Sequence, residues 1–341
     1  MFLIRGAEAR DLEGVLKLAR HLNSYNLPAD RKAIRRLLAD SVRSFRGERV
    51  AAERKQFLFV AEEVPGGKVV GTSLIIARHG TPKLPHLSFR LARETKKSSS
   101  LQKSVEHRTL VLAASRRGFT EIGGLAVLPA YRGRAEKIGK QLSYARFAFM
   151  ARHKAFFRPQ VLVEYLPPLD PAKGNALWTS LGKPFTGLTY HEADRLSAEN
   201  KEFIFSLFPR EKIYACLLPK AAQKDLGLPG EGARSSLGML ERLGFRFLGQ
   251  IDPFDGGPHY GAPLRRIPLV RKTAGAKFGG SAAPDAKAPR ALVMTESGGR
   301  ARACLAAAAR RKGLVWLPRE AARALGLKPR DELSITPFFE P

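Results

Sequence analysis

Apolar positions along this chain recur in two rhythms, every second residue and every three to four, and the switches between them mark its elements. Phe2-Leu-Ile-Arg5 predicts a strand, and Asp11 to His21 a helix with Leu12, Val15, Leu16 and Ala19 on one face. A second helix is predicted from Asp30 to Phe45, where Ile34, Leu37, Leu38, Val42 and Phe45 keep helical spacing. Its arginine-rich opposite face reads as solvated surface in preference to a nucleic-acid groove binder. Gln56 to Glu63 and Val69 to Ala77 read as strands joined by the turn Pro65-Gly-Gly-Lys68, hence a hairpin. Residues 90–103, with Lys96-Lys-Ser-Ser-Ser100, read as a mobile basic loop.

Further along, Glu121 to Val127 predicts a strand stopped at Pro129, Lys140 to Met150 a helix, and Gln160 to Tyr165 a strand ended by Pro167-Pro168. Asn175 to Gly182 and Ser236 to Gly244 share one pattern, a short helix stopped by Leu-Gly. There the glycine supplies a left-handed cap. Two short copies hint at a duplicated fold. Thr273 to Pro289, rich in Ala, Gly, Pro and Lys, reads as a linker. Gly313 to Pro318 (strand), Arg319 to Leu325 (helix) and Asp331 to Ile335 (strand) follow.

The length of 341 residues gives a prior of roughly two domains, and 44% hydrophobic with 26% charged residues is a globular composition. No apolar run is long enough to span a bilayer, and the start lacks a signal-peptide pattern. Cys216 and Cys304, far apart in sequence, fit two unpaired thiols in a reducing cytoplasm better than a disulfide framework or a metal site. A net charge of +28 attracts polyanions, nucleic acid among them, or reflects a general bias toward arginine.

One connection carries candidate chemistry. The strand of Glu121-Ile-Gly-Gly-Leu-Ala-Val-Leu-Pro-Ala-Tyr-Arg-Gly-Arg134 runs through a basic turn into a helix start at Ala135-Glu-Lys-Ile-Gly139. Free N–H groups and the positive helix end make such a turn an anion trap, although an ordinary ligand-free connection fits the pattern equally. The segment resembles the acyl-CoA-binding segment of GCN5-related N-acyltransferases, whose turn holds the coenzyme A pyrophosphate. By that resemblance Arg134, Lys137 and Gly139 bind the phosphates. Leu125 and Val127 then offer backbone groups to the pantetheine, like an added strand. The superfamily prefers R-x-x-G-x-G/A, and Lys137 stands at its first glycine.

The order of motifs from Phe2 to about Pro337 resembles the bacterial arginine N-succinyltransferase family, which includes the arginine/ornithine succinyltransferase subunits. The resemblance is carried by Glu121 with Leu125 and Pro129, by Arg146-Phe147, and by Leu177-Trp-Thr-Ser-Leu-Gly-Lys183. Ala193-Asp194, Ile213-Tyr214, Leu240-Glu-Arg-Leu-Gly-Phe-Arg246 and Ile251-Asp-Pro-Phe-Asp-Gly-Gly-Pro258 extend it. It implies an α/β (α+β) fold of the GCN5-related acyl-CoA N-acyltransferase type, in two related halves, with a mixed central sheet flanked by helices. The expected parts are a first half at 1–190, a second at 191–272, the linker at 273–289 and a strand–helix–strand segment at 290–341. The resemblance further implies succinyl-CoA as donor, no metal, the α-amino group of arginine or ornithine as acceptor, a role in arginine catabolism, and a homo- or hetero-oligomer.

There are departures. Gly230 stands where the family has a histidine proposed as proton donor. The family's A-E-M-R-G becomes Val163-Glu-Tyr-Leu-Pro167, which keeps Glu164 and loses the arginine at Leu166. His259 to Arg266 replaces an acidic segment.

Amide formation from a thioester requires a deprotonated amine, a polarised carbonyl and a stabilised thiolate, with much of the acceleration supplied by positioning. Glu164 is a candidate base or a partner for the acceptor's cationic side chain; a structural ion pair is the other reading. Tyr214 is a candidate hydrogen-bond donor to the thiolate, or a core tyrosine. His259 is the best remaining histidine for proton transfer, ahead of His191. Glu121 reads as structural, and Asp252 and Asp255 as turn formers before a guanidinium clamp. A different class, a polyanion binder on an old acyltransferase scaffold, draws on the charge. It also draws on the likeness of the segment from Arg311 to Glu332 to the swapped hairpin of bacterial transition-state regulators. The chain lacks the aromatic-with-basic interleaving of single-strand binders, and the transferase reading is preferred.

Overall fold

A computed structural model of the chain describes residues 1–22, 26–168, 175–197, 200–283 and 288–339. The chain opens with β1 (Phe2–Gly6), α1 (Leu12–Ala19), α2 (Arg31–Phe45), β2 (Gln56–Glu63), β3 (Val69–His79), β4 (His86–Ser98), β5 (Lys103–Ser115) and β6 (Phe119–Val127). It continues through α3 (Ile138–Arg152), β7 (Gln160–Glu164), α4 (Lys183–Thr186), α5 (Tyr190–Ser197), α6 (Glu202–Leu207), β8 (Ile213–Tyr214), α7 (Lys220–Asp225), α8 (Arg234–Arg242), β9 (Arg246–Ile251) and β10 (Pro258–Pro263). It closes with α9 (Pro268–Lys272), β11 (Ala274–Ala282), β12 (Arg290–Ser297), β13 (Arg300–Ala307), β14 (Ala309–Arg311), β15 (Leu314–Pro318), α10 (Arg319–Leu325) and β16 (Glu332–Pro337). No described helix is long and apolar enough to cross a membrane.

Two compact units divide the chain, and they interleave in sequence: residues 1–78, 120–159 and 263–341 form the first, residues 79–119 and 160–262 the second. Neither the 190/191 nor the 272/273 boundary expected above coincides with a unit boundary.

In the first unit the strand order is β14-β15-β11-β16-β12-β13-β1-β2-β3-β6. The sheet is mixed: β11 and β15 run parallel, while β1 pairs antiparallel with both β2 and β13. Helices α1 and α2 lay Val15, Leu16, Ile34, Leu37 and Leu38 against Leu58, Val60 and Leu74, which is the apolar stripe the spacing predicts. Asp30 caps α2 by accepting from the Ala33 N–H at 2.7 Å. Helix α3 is buried from Gln141 through Met150, so it is a core helix with no solvated face there, and some of its polar side chains bond within it. Arg146, for example, donates to Ser143 Oγ at 2.8 Å. Near the chain start, the guanidinium of Arg5 donates to both carboxylate oxygens of Asp11, at 2.7 and 2.8 Å, and through Nε to Glu62 at 2.7 Å. Arg5 and Asp11 are both buried.

In the second unit the order is β7-β10-β9-β4-β5-β8, and β4 pairs antiparallel with β5 along their whole length, His86 to Ser98 against Lys103 to Ser115. The basic loop expected at 90–103 is therefore replaced by a hairpin. Its base is anchored by buried Leu87, Phe89 and Leu110, while the charged distal half is exposed on both strands. Charge density there reflects a solvated ribbon. Trp178, stacked on Phe254 at 5.0 Å between ring centroids, centres the core. Gly182 does not end its helix as expected: a π-helical turn (Trp178–Gly182) runs on into α4, and the left-handed cap is Gly187 at φ +70°. A Cβ on Gly182 would fall inside the Trp178 ring, so this glycine serves packing. Gly244, at φ +91°, does follow α8 in the left-handed conformation.

The linker expected at 273–289 is also corrected over its first part. Ala274 to Ala282 form β11, paired with β15 and β16. Its small residues make room for Trp316, which lies where a Cβ of Gly279 or Gly280 would project. Residues 284–287 lie outside the described ones.

Candidate active site

The candidate donor turn belongs to the first unit. Gly124 has φ +55° within β6, where a left-handed residue marks a bulge, and Thr72 Oγ1 donates to its carbonyl at 2.9 Å. Beyond it Leu125 and Val127 are half-buried on one side of the strand. The Val127 carbonyl accepts from Arg132 Nε at 2.8 Å. After a single 3-10 turn (Pro129–Tyr131), Gly133 at φ +70° and Lys137 at φ +55° bend the chain onto α3. Lys137 is the N-cap residue, so the N–H groups of Ile138, Gly139 and Lys140 have no acceptor within the helix. The positive end of a 15-residue helix is added to them. Arg134 stacks its guanidinium 4.2 Å over the Tyr131 ring and is exposed, as is Lys137. The left-handed backbone explains why a glycine is preferred at position 137. A lysine adopts it at a cost of about 1–2 kcal/mol without closing the turn. At Gly139 a Cβ would meet only Val127 Cγ2, at 3.7 Å.

A second constellation lies wholly in the second unit, around Glu164 at the end of β7. The motif Ile251 to Pro258 builds it. Asp252 Oδ1 accepts from the N–H groups of Phe254 (2.7 Å) and Asp255 (3.1 Å), and Asp255 Oδ1 from Gly257 (2.7 Å). Gly256 has φ +81°, and Gly257 sits against the Tyr165 carbonyl where a side chain would clash. The turn thus needs both glycines. Tyr165 N–H then donates to the Pro258 carbonyl at 3.2 Å, which aligns buried His259 with Glu164. On another side, a turn opened by Gly80 at φ +86° brings together His79, the last residue of β3, and His86, the first of β4.

The three imidazoles surround one oxygen. Glu164 Oε1 is 3.3 Å from His86 Nδ1, 3.8 Å from His259 Nε2 and 3.9 Å from His79 Nε2. Burial, reinforced by His79 and His259, holds the His86 imidazole well below its ordinary range, so it is neutral at pH 7. The carboxyls nearby shift the other way. Burial raises Asp252, and burial with the neighbouring Asp252 raises Asp255 well above the usual carboxylate range. Burial, then Asp252, pushes Asp194 up to about 6. Burial, then Asp255, raises the Tyr190 phenol. Glu164, Asp194, Asp252 and Asp255 are thus neighbouring carboxyls that resist ionising together, and a cationic group among them would favour their charged forms.

Not every candidate joins this cluster. Tyr214 sits on β8, at the opposite edge of its sheet from β7, roughly 24 Å away at the usual strand spacing of about 4.8 Å. There its hydroxyl donates to Glu94 Oε2 at 3.4 Å, beside a Lys212–Glu94 ion pair at 2.6 Å. His191 is exposed on α5. Glu121 is buried on β6 and accepts from Asn26 Nδ2 at 2.6 Å. Gly230 donates its N–H to the Leu166 carbonyl at 2.9 Å. A Cβ there would stand 2.9 Å from the Pro167 carbonyl, so this backbone leaves no room for a histidine. His79, His86 and Tyr190 escaped sequence reasoning, because no spacing links residues 79, 86 and 259. Cys216 and Cys304 are free thiols, as expected.

The relatives of this chain place it in a class: acyltransferases that use an acyl-CoA donor. Comparison with known proteins narrows the class. The profile of the arginine N-succinyltransferase beta subunit matches residues 2–269, and that of its C-terminal domain residues 276–337. The chain is similar to arginine N-succinyltransferase of Photorhabdus laumondii, at 33% identity over 80% of this chain and 79% of that protein. It is similar to subunit beta of the Pseudomonas aeruginosa enzyme at 31% identity, over 80% and 79%. The arginine/ornithine succinyltransferase subunit AI from Pseudomonas aeruginosa superposes with a TM-score of 0.82 at 27% identity, covering 100% of this chain and 99% of that one. The chain belongs to the arginine N-succinyltransferase family. These relationships favour a transferase over the polyanion binder.

Proposed function

We propose that this chain transfers the succinyl group of succinyl-CoA to the α-amino group of arginine or ornithine. The observation that carries the reading is the end-to-end match to the Pseudomonas aeruginosa arginine/ornithine succinyltransferase subunit, with a TM-score of 0.82. Two local features support it. The N–H groups of residues 138–140, which have no acceptor within the helix, lie beside Arg134 and Lys137 and suit a diphosphate. The site of Glu164, Asp194, Asp252 and Asp255 suits a guanidinium or ammonium side chain. In the reaction the amine attacks the thioester carbon, the C–S bond breaks and the coenzyme leaves as thiolate. Glu164 takes the amine proton, and His259 beside it relays a proton toward the leaving sulfur. Tyr214 takes no part in this assignment.

Relatives in Pseudomonas aeruginosa are named as alpha and beta subunits, so the reading includes assembly into an oligomer. Free-thiol release from succinyl-CoA, run against a panel of amino acids with acetyl-CoA in parallel, tests the proposal. Release is expected with arginine or ornithine and succinyl-CoA. Absence of release with every amino acid would overturn it.

A further inference from the structure

We propose that His79, His86 and Glu164 form a binding site for a divalent transition-metal ion of zinc-like character. The inference stands on geometry. Hydrogen bonds close at about 2.7–3.2 Å. Neighbouring ligands on a tetrahedral zinc ion, with bonds of about 2.0–2.1 Å, stand about 3.3–3.4 Å apart. Glu164 Oε1 lies 3.3 Å from His86 Nδ1 and 3.9 Å from His79 Nε2, and the three ligand atoms all lie within 4.8 Å of one another. The two distances to Glu164 Oε1 are therefore wider than hydrogen bonds and within about 0.6 Å of the ligand spacing around a cation. Glu164 also forms a triad within 4.8 Å with Asp252 and His259, whose Nε2 is 3.8 Å from the same oxygen. That triad backs the carboxylate from the other side.

Two imidazoles and one carboxylate form the facial set that divalent transition metals accept, with positions left open for a ligand.

The test uses the full chain without a histidine tag, stripped with chelator and loaded with Co²⁺ or Zn²⁺ in the absence of donor and acceptor. Failure here is thereby distinguishable from failure of the transferase reading. One Co²⁺ per chain, a visible d–d absorption band and a chelator-reversible rise in Tm are expected. His79 is partly exposed, so His79→Ala should fold, and circular dichroism of the metal-free variant verifies this. Its affinity, and that of Glu164→Gln, should fall by more than ~100-fold, beyond the ~10–100-fold that a supporting group outside the coordination sphere costs. His191→Ala and Cys216→Ser, at exposed positions elsewhere, should bind normally. The proposal is overturned if the wild-type chain takes up no metal, if His79→Ala binds as tightly as wild type, or if uptake vanishes in either control.

Discussion

Replacing Asp11 by alanine tests how the first unit is held at its start. Asp11 accepts two charge-assisted hydrogen bonds from the buried Arg5 guanidinium, at 2.7 and 2.8 Å, and a third from the Glu8 N–H at 2.7 Å. Breaking a buried pair from one side costs about 3–5 kcal/mol, chiefly because a charge is left without its partner. Arg5 would keep Glu62 at 2.7 Å, so the loss should sit at the low end, about 3 kcal/mol. In a unit of about 200 residues that lowers Tm by roughly 6–12 °C. Urea titration followed by far-UV circular dichroism measures the loss, and hydrogen exchange in β1 and β2 locates it. A second variant separates charge from shape. Arg5→Met combined with Asp11→Leu removes both charges and should recover most of the deficit, because apolar replacement of a buried pair is often neutral. A loss below about 1 kcal/mol for Asp11→Ala, the size of an exposed pair, would refute the reasoning. So would a double variant no better than the single one.

Four further outcomes follow from the sites. Glu164→Gln keeps the shape and removes the base, so kcat/KM for acyl transfer should fall about 100- to 10,000-fold; stopped-assay kinetics showing less than tenfold would remove Glu164 from proton transfer. Lys137→Gln should weaken coenzyme A binding about fivefold in a calorimetric titration, and an unchanged Kd would take the ammonium out of the donor turn. Asp194, pushed up to about 6, binds its proton more tightly folded than unfolded, so its contribution to stability is present at low pH and fades as pH rises through about 6. Arginine affinity should rise over the same interval as the carboxylate forms; a flat pH profile for wild type, or one unaltered in Asp194→Asn, would exclude this role. Gly182→Ala drives a methyl group into the Trp178 ring and should cost at least ~2 kcal/mol by urea titration followed through Trp178 emission; an unchanged midpoint would contradict the packing described.

Much of the first unit was legible because its elements obey local rules. The stripe on α2 and the cap at Asp30 both lie within a few residues of what they organise. Elements whose composition points away from their conformation are the ones local pattern does not disclose. The hairpin of β4 and β5 is basic because its distal half is solvated, and β11 is rich in alanine and glycine because Trp316 needs the space. Gly182 fits a cap motif by letter, yet the ring of Trp178 decides its use, and no local pattern carries that information.

The site shows the same division more sharply. Residues 125–139 are contiguous, so the donor turn could be read as one object. The cluster around Glu164 is assembled from the end of β3, the start of β4, the end of β7 and the start of β10, which no local sequence pattern links. A tyrosine matched by motif, Tyr214, falls at the other edge of the same sheet. Conversely, the matched position without a histidine, Gly230, bonds to Leu166 just past Glu164, and three unmatched histidines stand within 3.9 Å of that carboxylate oxygen. A motif records which residue type occupies a column, whereas proton transfer and metal binding depend on which atoms share a few ångströms. For this chain the absent letter at position 230 is therefore no argument against imidazole chemistry beside Glu164.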